Sequence, residues 1–397
     1  MELSRLSLNL QPSVTLEITA KAKKMREDGF DVISFGAGEP DFNTPENIIS
    51  AAINAMNKGH TKYTSSSGIL ELKRAICTKL FRENVLKYDT SQIIVSTGAK
   101  QCLSNLFQAI LNPGDEIIIT APYWISYPEL IRLYGGVPVF VDTKEENNFK
   151  CSRDELMSAL TSRTKAIMVN SPNNPTGTVY DYDDLKSIAD FAEENELLII
   201  SDEIYEKLIY DGKKHISIAS ISDDAYERTV VINGMSKTYS MTGWRVGYAA
   251  GPERIIEVMS SIQSHTTSNP TSISQYAALE ALKGPQDRIF YMLEQFELRR
   301  NFMVKRIDEI ANITCFKPMG AFYVMINITD LIGKKINNLV IKGSESLSKI
   351  LFDESRVAVI PGTAFGTDNY IRLSYATSME SIEEGLDRLE QFINNLI

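Results

Sequence analysis

Between residues 63 and 282 the chain alternates helix-spaced segments with short, continuous apolar runs rich in β-branched residues. Such runs suit strands covered on both faces, and their alternation with helices predicts an α/β layer fold around a mainly parallel sheet. Seven runs qualify: 92–96, 116–120, 138–141, 165–169, 197–201, 229–232 and 245–250. Helices are predicted between them, including 100–111 and 183–194. Beyond Asp287 the texture changes to a long helical stretch, 288–312, then the strands GAFYVMI, VAVIP and YIRLSYA and a final helix over 378–397. This reads as a smaller α+β domain. Near the start, Leu16, Thr19, Ala20 and Lys23 have helical spacing, and Gly29 is a stop signal. The expected division is an amino-terminal arm with part of the small domain (1–44), a large domain (45–287) and a small carboxyl-terminal domain (288–397). The site is expected between the domains, at the carboxyl ends of the large-domain strands.

Composition narrows the classes. At 397 residues, 43% hydrophobic and 23% charged, the chain has the material of a globular protein large enough for two domains sharing a cleft. A net charge of -10 without basic clusters argues against a nucleic-acid surface. Cys77, Cys102, Cys151 and Cys315 form no CxxC pair and only three histidines accompany them, so neither a metal site nor a disulfide framework is expected. A reduced, cytoplasmic protein is the expectation, and no apolar stretch has the length of a membrane span.

Candidate chemistry centres on Lys237, in Ser236-Lys237-Thr238-Tyr239-Ser240-Met241-Thr242-Gly243-Trp244-Arg245, just past the run 229–232. A lysine among small and hydroxyl residues at a buried strand end loses hydration and becomes an amine nucleophile. Arg245 is a permanent cation suited to a phosphate. Most lysines beside strand ends are simply solvated, so the rest of the chain decides. Ser171-Pro172-Asn173-Asn174-Pro175-Thr176-Gly177 follows the strand KAIMVN and is either a rigid functional loop or a plain turn. Asp202 ends the apolar run LLIIS, with Tyr205 three residues on. A carboxylate there is buried only if paired, the ordinary alternative being a helix cap. Thr97-Gly98-Ala99-Lys100-Gln101 joins a strand to a helix, where small residues let backbone N–H groups approach a phosphate. Gly36-Ala37-Gly38-Glu39-Pro40-Asp41 lies near the start and Arg372, within YIRLSYA, near the end. Alternation puts Arg372 opposite Ile371 and Leu373, either in solvent or on an anion. Trp124 in PYWISYP and Tyr63 in TKYTSSSG are core aromatics or ligand contacts.

In order, spacing and wording these segments resemble the class I (fold-type I) pyridoxal-phosphate-dependent aminotransferase family, most closely its bacterial aspartate aminotransferase branch, from Pro12 to the carboxyl terminus. The resemblance implies the fold-type I architecture, pyridoxal 5'-phosphate as cofactor and a homodimer with shared active sites. It implies that Lys237 holds the cofactor as a Schiff base and then shuttles the substrate's α-proton. Asp202 would pair with the pyridine nitrogen, Tyr205 and Asn174 would meet the phenolic oxygen, and Trp124 would stack on the ring. Ala99, Lys100 and Arg245 would hold the phosphate, with Tyr63 from the partner subunit. Arg372, Gly38, Asn174 and Trp124 would bind the substrate.

Substrate identity is less direct. The segment SHTTSNPTSISQYA lacks the arginine with which one branch of the family clamps a side-chain carboxylate. Lys100 with Thr15 is the expected substitute, favouring aspartate with 2-oxoglutarate over an aromatic, prephenate or broad specificity. The contrasting non-enzymatic class is a regulator that senses the cofactor, which would carry a basic helix-turn-helix module. None is legible in the chain, so an enzyme is expected.

Overall fold

The computed structural model describes residues 8, 10 and 12–397; the rest of the predicted amino-terminal arm lies outside the described residues. Seven strands form its main sheet: β1 Ile93–Ser96, β2 Glu116–Ala121, β3 Val137–Asp142, β4 Thr164–Asn170, β5 Leu198–Asp202, β6 Thr229–Gly234 and β7 Gly247–Ala250. Their order is β1-β7-β6-β5-β4-β2-β3. Every pairing is parallel except those of β7, which runs antiparallel to both neighbours. All seven coincide with the apolar runs. The continuous apolar pattern follows from covering on both faces: Ala166 and Met168 of β4 join one apolar cluster with Leu103 and Phe107, whereas Ile167 and Val169 join another with Leu185 and Phe191.

A second, antiparallel sheet comprises β8 Thr314–Cys315, β9 Tyr323–Asn327, β10 Ile360–Pro361 and β11 Tyr370–Ser374, in the order β10-β11-β9-β8. The amino-terminal helix Val14–Glu27 starts at Ser13, whose hydroxyl accepts from Leu16 N at 3.4 Å, and the chain turns after it at Gly29, in the left-handed region at φ 90°. The chain then joins the small sheet's surroundings: Ile33–Ser34 pairs in parallel with Val357–Ala358, and Ser374 N donates to Phe35 O at 2.9 Å. These bonds hold residues 36–41 against β11.

Beneath the loop that carries Lys237 lies a buried polar group. Lys79 ion-pairs with Glu206, and Asn84 bridges them, accepting from Lys79 Nζ at 2.8 Å and donating to Glu206 at 3.1 Å. Burial alone would push the Glu206 carboxyl up, but Lys79, helped by His215 and Asn84, holds it down at about 2. Glu203 alongside is already served by Ser201 at 2.9 Å, Ser217 at 2.6 Å and His215 at 2.9 Å. With its carboxylates occupied, this cluster is a structural network. Glu206→Gln would leave the buried Lys79 with the longer pairing to the exposed Glu83, at 3.8 Å, and should lower stability at pH 7 by up to about 3 kcal/mol, read from urea unfolding. Because the folded pKa is depressed, the pair's contribution is complete above the unfolded value of about 4.3 and is lost as pH falls toward 2. The difference between parent and variant should therefore shrink on acidification.

Candidate active site

A cavity of about 380 Å³ opens at the carboxyl ends of the parallel strands, between the main sheet and β9 and β11. Strand ends deliver most of its wall: β4 ends at Asn170, β5 at Asp202, β6 leads to Ser236 and Lys237, and β1 leads through Gly98 to the helix Ala99–Ile110. Among the described residues, Lys100, Lys237, Arg245 and Arg372 line it against Glu39 and Asp202. Four cations against two carboxylates make the site locally positive in a chain of net charge -10, which suits anionic ligands.

Asp202 is 3% exposed at the floor. Its Oδ2 accepts from the Tyr127 hydroxyl at 2.7 Å and its Oδ1 from Ile204 N at 3.2 Å. Burial pushes its carboxyl up to about 6 against the Tyr127 bond. Two donors leave this carboxylate room for another, and a cationic N–H is the partner that would favour its charge most. Lys237 donates to Gly38 O, and its Nζ lies 5.9 Å from the Tyr205 ring centre and 5.8 Å from that of Phe322. Loss of hydration lowers its ammonium to about 8; Glu39 opposes this and Arg245 and Arg372 add to it. An amine so placed is partly free base near neutral pH.

The cradle at the other end is built by close packing. No side chain caps the helix Ala99–Ile110, so its first N–H groups face the cavity. A Cβ at Gly247 would collide with Ala99 N, and one at Gly98 with the Arg245 guanidinium, so both glycines are needed for the approach. Arg245 itself sits in the left-handed region at φ 55°, a strained conformation for a long side chain, and donates to Thr242 O at 2.6 Å. Helix N–H groups and a guanidinium converging on one spot form an anion cup.

Of the two environments that alternation leaves open, Arg372 has the buried one, at 2% exposed. The reason is tertiary: its guanidinium lies 4.3 Å from the Tyr323 ring centre and 4.9 Å from that of Phe365, under the residues 36–41. Its Nη1 donates to Asn174 Oδ1 at 3.0 Å and its Nη2 to Gly36 O at 3.4 Å, but its buried Nε has no partner among the described residues. An orphaned N–H on a buried cation suits a carboxylate. Asn174 is fixed in turn, its N donating to Asn170 Oδ1 at 2.9 Å while Asn170 Nδ2 donates to Asp202 O at 2.9 Å.

Gly38, Ala99, Lys100, Trp124, Asn174, Asp202, Tyr205, Lys237, Arg245, Arg372 and Thr15 thus line one cavity. Tyr63 does not; it is 90% exposed on the surface of this chain. Among the wall residues that sequence reasoning did not assign to the site are Glu39, Tyr127, Asn170 and Tyr323. Each was inside a segment already singled out, but only the fold shows that Tyr127 reaches Asp202 and Tyr323 reaches Tyr205.

The model of the family "Aminotransferase class I and II" matches residues 31–389. Among curated relatives, the aspartate aminotransferase of Bacillus subtilis is 50% identical over 99% of both chains. A probable aspartate/prephenate aminotransferase of Aquifex aeolicus is 47% identical over 99% of this chain and 98% of its own. Among solved structures, the aspartate aminotransferase of Thermus thermophilus with maleate superposes with a TM-score of 0.93 at 41% identity, covering 98% of this chain and 99% of that one. With a lysine, a buried carboxylate, an anion cup and an unpartnered guanidinium N–H around one cavity, and full-length relatives of this kind, the chain belongs to the class I and II aminotransferases.

Proposed function

We propose that this protein transfers the amino group of L-aspartate to 2-oxoglutarate, giving oxaloacetate and L-glutamate, with pyridoxal 5'-phosphate held at Lys237. The family implies that cofactor. The observation that carries the reading is the joint placement of Lys237, Asp202 and the anion cup on one wall with the unpartnered Arg372 Nε on another. When bound, the cofactor supplies an electron-withdrawing ring that takes up the electron pair left as the α-proton departs.

The protein's part is positioning and proton handling. The backbone N–H groups of Ala99 and Lys100 and the Arg245 guanidinium would hold the phosphate. Asp202, kept in place by Tyr127, would hold a proton on the ring nitrogen, and its burial would make that charge pairing strong. Trp124 would stack on the ring, while Tyr205 and Asn174 would serve the phenolic oxygen. Arg372 takes the substrate α-carboxylate through Nε and Nη2, supported by the Gly38 N–H. Lys237 Nζ would be the base that takes and holds the substrate α-proton, which its lowered pKa permits near neutral pH.

The rest of the assignment follows the same reading. The chain divides into 1–44, 45–287 and 288–397, and works as a cytoplasmic homodimer in which the partner subunit contributes its Tyr63 to the phosphate. No helix among the described residues is long and apolar enough to cross a membrane.

Lys100 sets the preference for aspartate. Its Nζ lies 5.0 Å from the Trp124 ring centre, and burial, then Arg245, lowers its pKa. An anionic side chain would relieve that repulsion. Thr15 on the same cavity has a buried hydroxyl without a partner among the described residues. The test compares half-reaction rates for aspartate, glutamate, phenylalanine and alanine in the parent and in Lys100→Ala. Aspartate should lead by ~10-fold or more in the parent and lose about that factor in the variant, with phenylalanine little changed. Equal weakening of aspartate and phenylalanine would remove Lys100 from the specificity.

A further inference from the structure

Tyr323, the second residue of the sequence pair Phe322-Tyr323, touches both halves of the proposed chemistry, as Asn174 also does. Its hydroxyl lies 3.0 Å from that of Tyr205, and its ring face carries the Arg372 guanidinium at 4.3 Å. It is 1% exposed, and its hydroxyl has no other hydrogen-bond partner among the described residues. Backbone pairing fixes the geometry: Tyr323 pairs with Ser374 and Met325 with Arg372 on the adjacent strand, so Tyr323 and Arg372 sit two rungs apart, diagonally on one face of the sheet.

A phenol has a single proton to donate. Burial, the largest cause for both, raises the pKa of each tyrosine, so both stay protonated at neutral pH and one must donate to the other. If Tyr205 donated to Tyr323, no proton would remain for the cofactor's phenolic oxygen. If Tyr323 donates, the Tyr205 proton is free and its O–H is polarised in the useful direction. Arg372 favours this second order, because a cation over the ring withdraws its electron density and strengthens the Tyr323 O–H as a donor.

We propose that Tyr323 is a positioning residue for amino transfer: its hydroxyl directs the Tyr205 proton toward the cofactor, and its ring face seats the Arg372 guanidinium for the substrate carboxylate. This rests on the functional reading above. One side chain thereby links the carboxylate site to the group that tunes the cofactor. The charged groups around the pair are Arg372, Asp202, Glu39, Lys237 and Arg245, none of which the substitutions below alter.

Two variants of the cofactor-loaded enzyme separate the two roles. Tyr323→Phe keeps the ring and removes the hydroxyl. A weaker Tyr205 bond leaves more negative charge on the phenolic oxygen, which stabilises a proton on the nearby lysine nitrogen. The pH midpoint of the cofactor's visible absorbance should therefore rise by ~0.5 unit or more, with kcat reduced and the Kd for maleate within about twofold of the parent. Tyr323→Leu also removes the ring face, and its Kd for maleate should rise ~10-fold. A thermal unfolding scan of each variant identifies the properly folded samples. A Tyr323→Phe midpoint within ~0.2 unit of the parent, or a Tyr323→Leu affinity equal to that of the parent, would overturn the proposal. A parent that shows no visible cofactor band or no amino transfer would instead overturn the functional reading beneath it, so the two failures are distinguishable.

Discussion

Replacing Lys237 by alanine should lower steady-state amino transfer by at least ~10⁴-fold and remove the absorbance of lysine-bound cofactor, while leaving the fold intact. The size follows from two roles falling on one atom. Nζ is the attachment point, and it is also the base that carries the α-proton across to the next carbon. The other candidate bases on the wall among the described residues are otherwise engaged, Glu39 accepting from Thr242 at 2.6 Å. The remaining amine is Lys100, on the phosphate side of the cavity beside Trp124, and Asp202 is engaged with Tyr127. The fold should survive because the lysine's hydrogen bond goes only to Gly38 O, at a cavity wall. The loop itself is held by other contacts, with Thr44 donating to Ser240 O at 2.6 Å, Trp244 Nε1 to Thr44 at 2.9 Å and Thr242 to Glu39 at 2.6 Å. Retained steady-state transamination in Lys237→Ala would sink the assignment.

Asp202→Asn should lower kcat by ~10³-fold or more with a smaller change in cofactor affinity. Two unit charges at hydrogen-bonding separation in a site with an effective dielectric of about 20 attract by ~5 kcal/mol, which corresponds to between 10³- and 10⁴-fold in rate if the pairing holds the ring proton only while charged. An amide is nearly the same size and keeps an oxygen for the Tyr127 hydroxyl, at the loss of the 3.2 Å bond from Ile204 N. What it removes is the charge. Affinity should change less because the substitution leaves the anion cup at Ala99 and Arg245 unaltered. The measurement is kcat together with the cofactor Kd by fluorescence titration; a kcat within ~10-fold of the parent would mean that Asp202 is only a floor residue.

Most of the main sheet was legible because its strands are buried on both faces and so appear as unbroken apolar runs, from β1 to β7. The direction of β7 was not, since an apolar run carries no sign; its reversal follows from the short connection out of β6 through residues 235–246. Arg372 marks the limit of local reasoning. Alternation correctly put it opposite Ile371 and Leu373, yet that face is covered by Tyr323, Phe365 and a segment more than 300 residues earlier in sequence. Tyr127, Asn170 and Tyr323 were illegible for a related reason: a tyrosine or asparagine near a strand end looks like packing until a distant partner is known. Glu39 was visible within its glycine-rich segment, but its bond to Thr242 depends on the same return of the amino-terminal chain to the site.

The central claim, that Lys237 is the amine holding the cofactor where Asp202 and Arg372 can act, is tested most directly by borohydride reduction of the cofactor-loaded enzyme followed by peptide mapping. The account predicts one pyridoxyl group per chain, on the peptide containing Ser236-Lys237-Thr238. Label on Lys100 or another lysine, or no stoichiometric label, would contradict it.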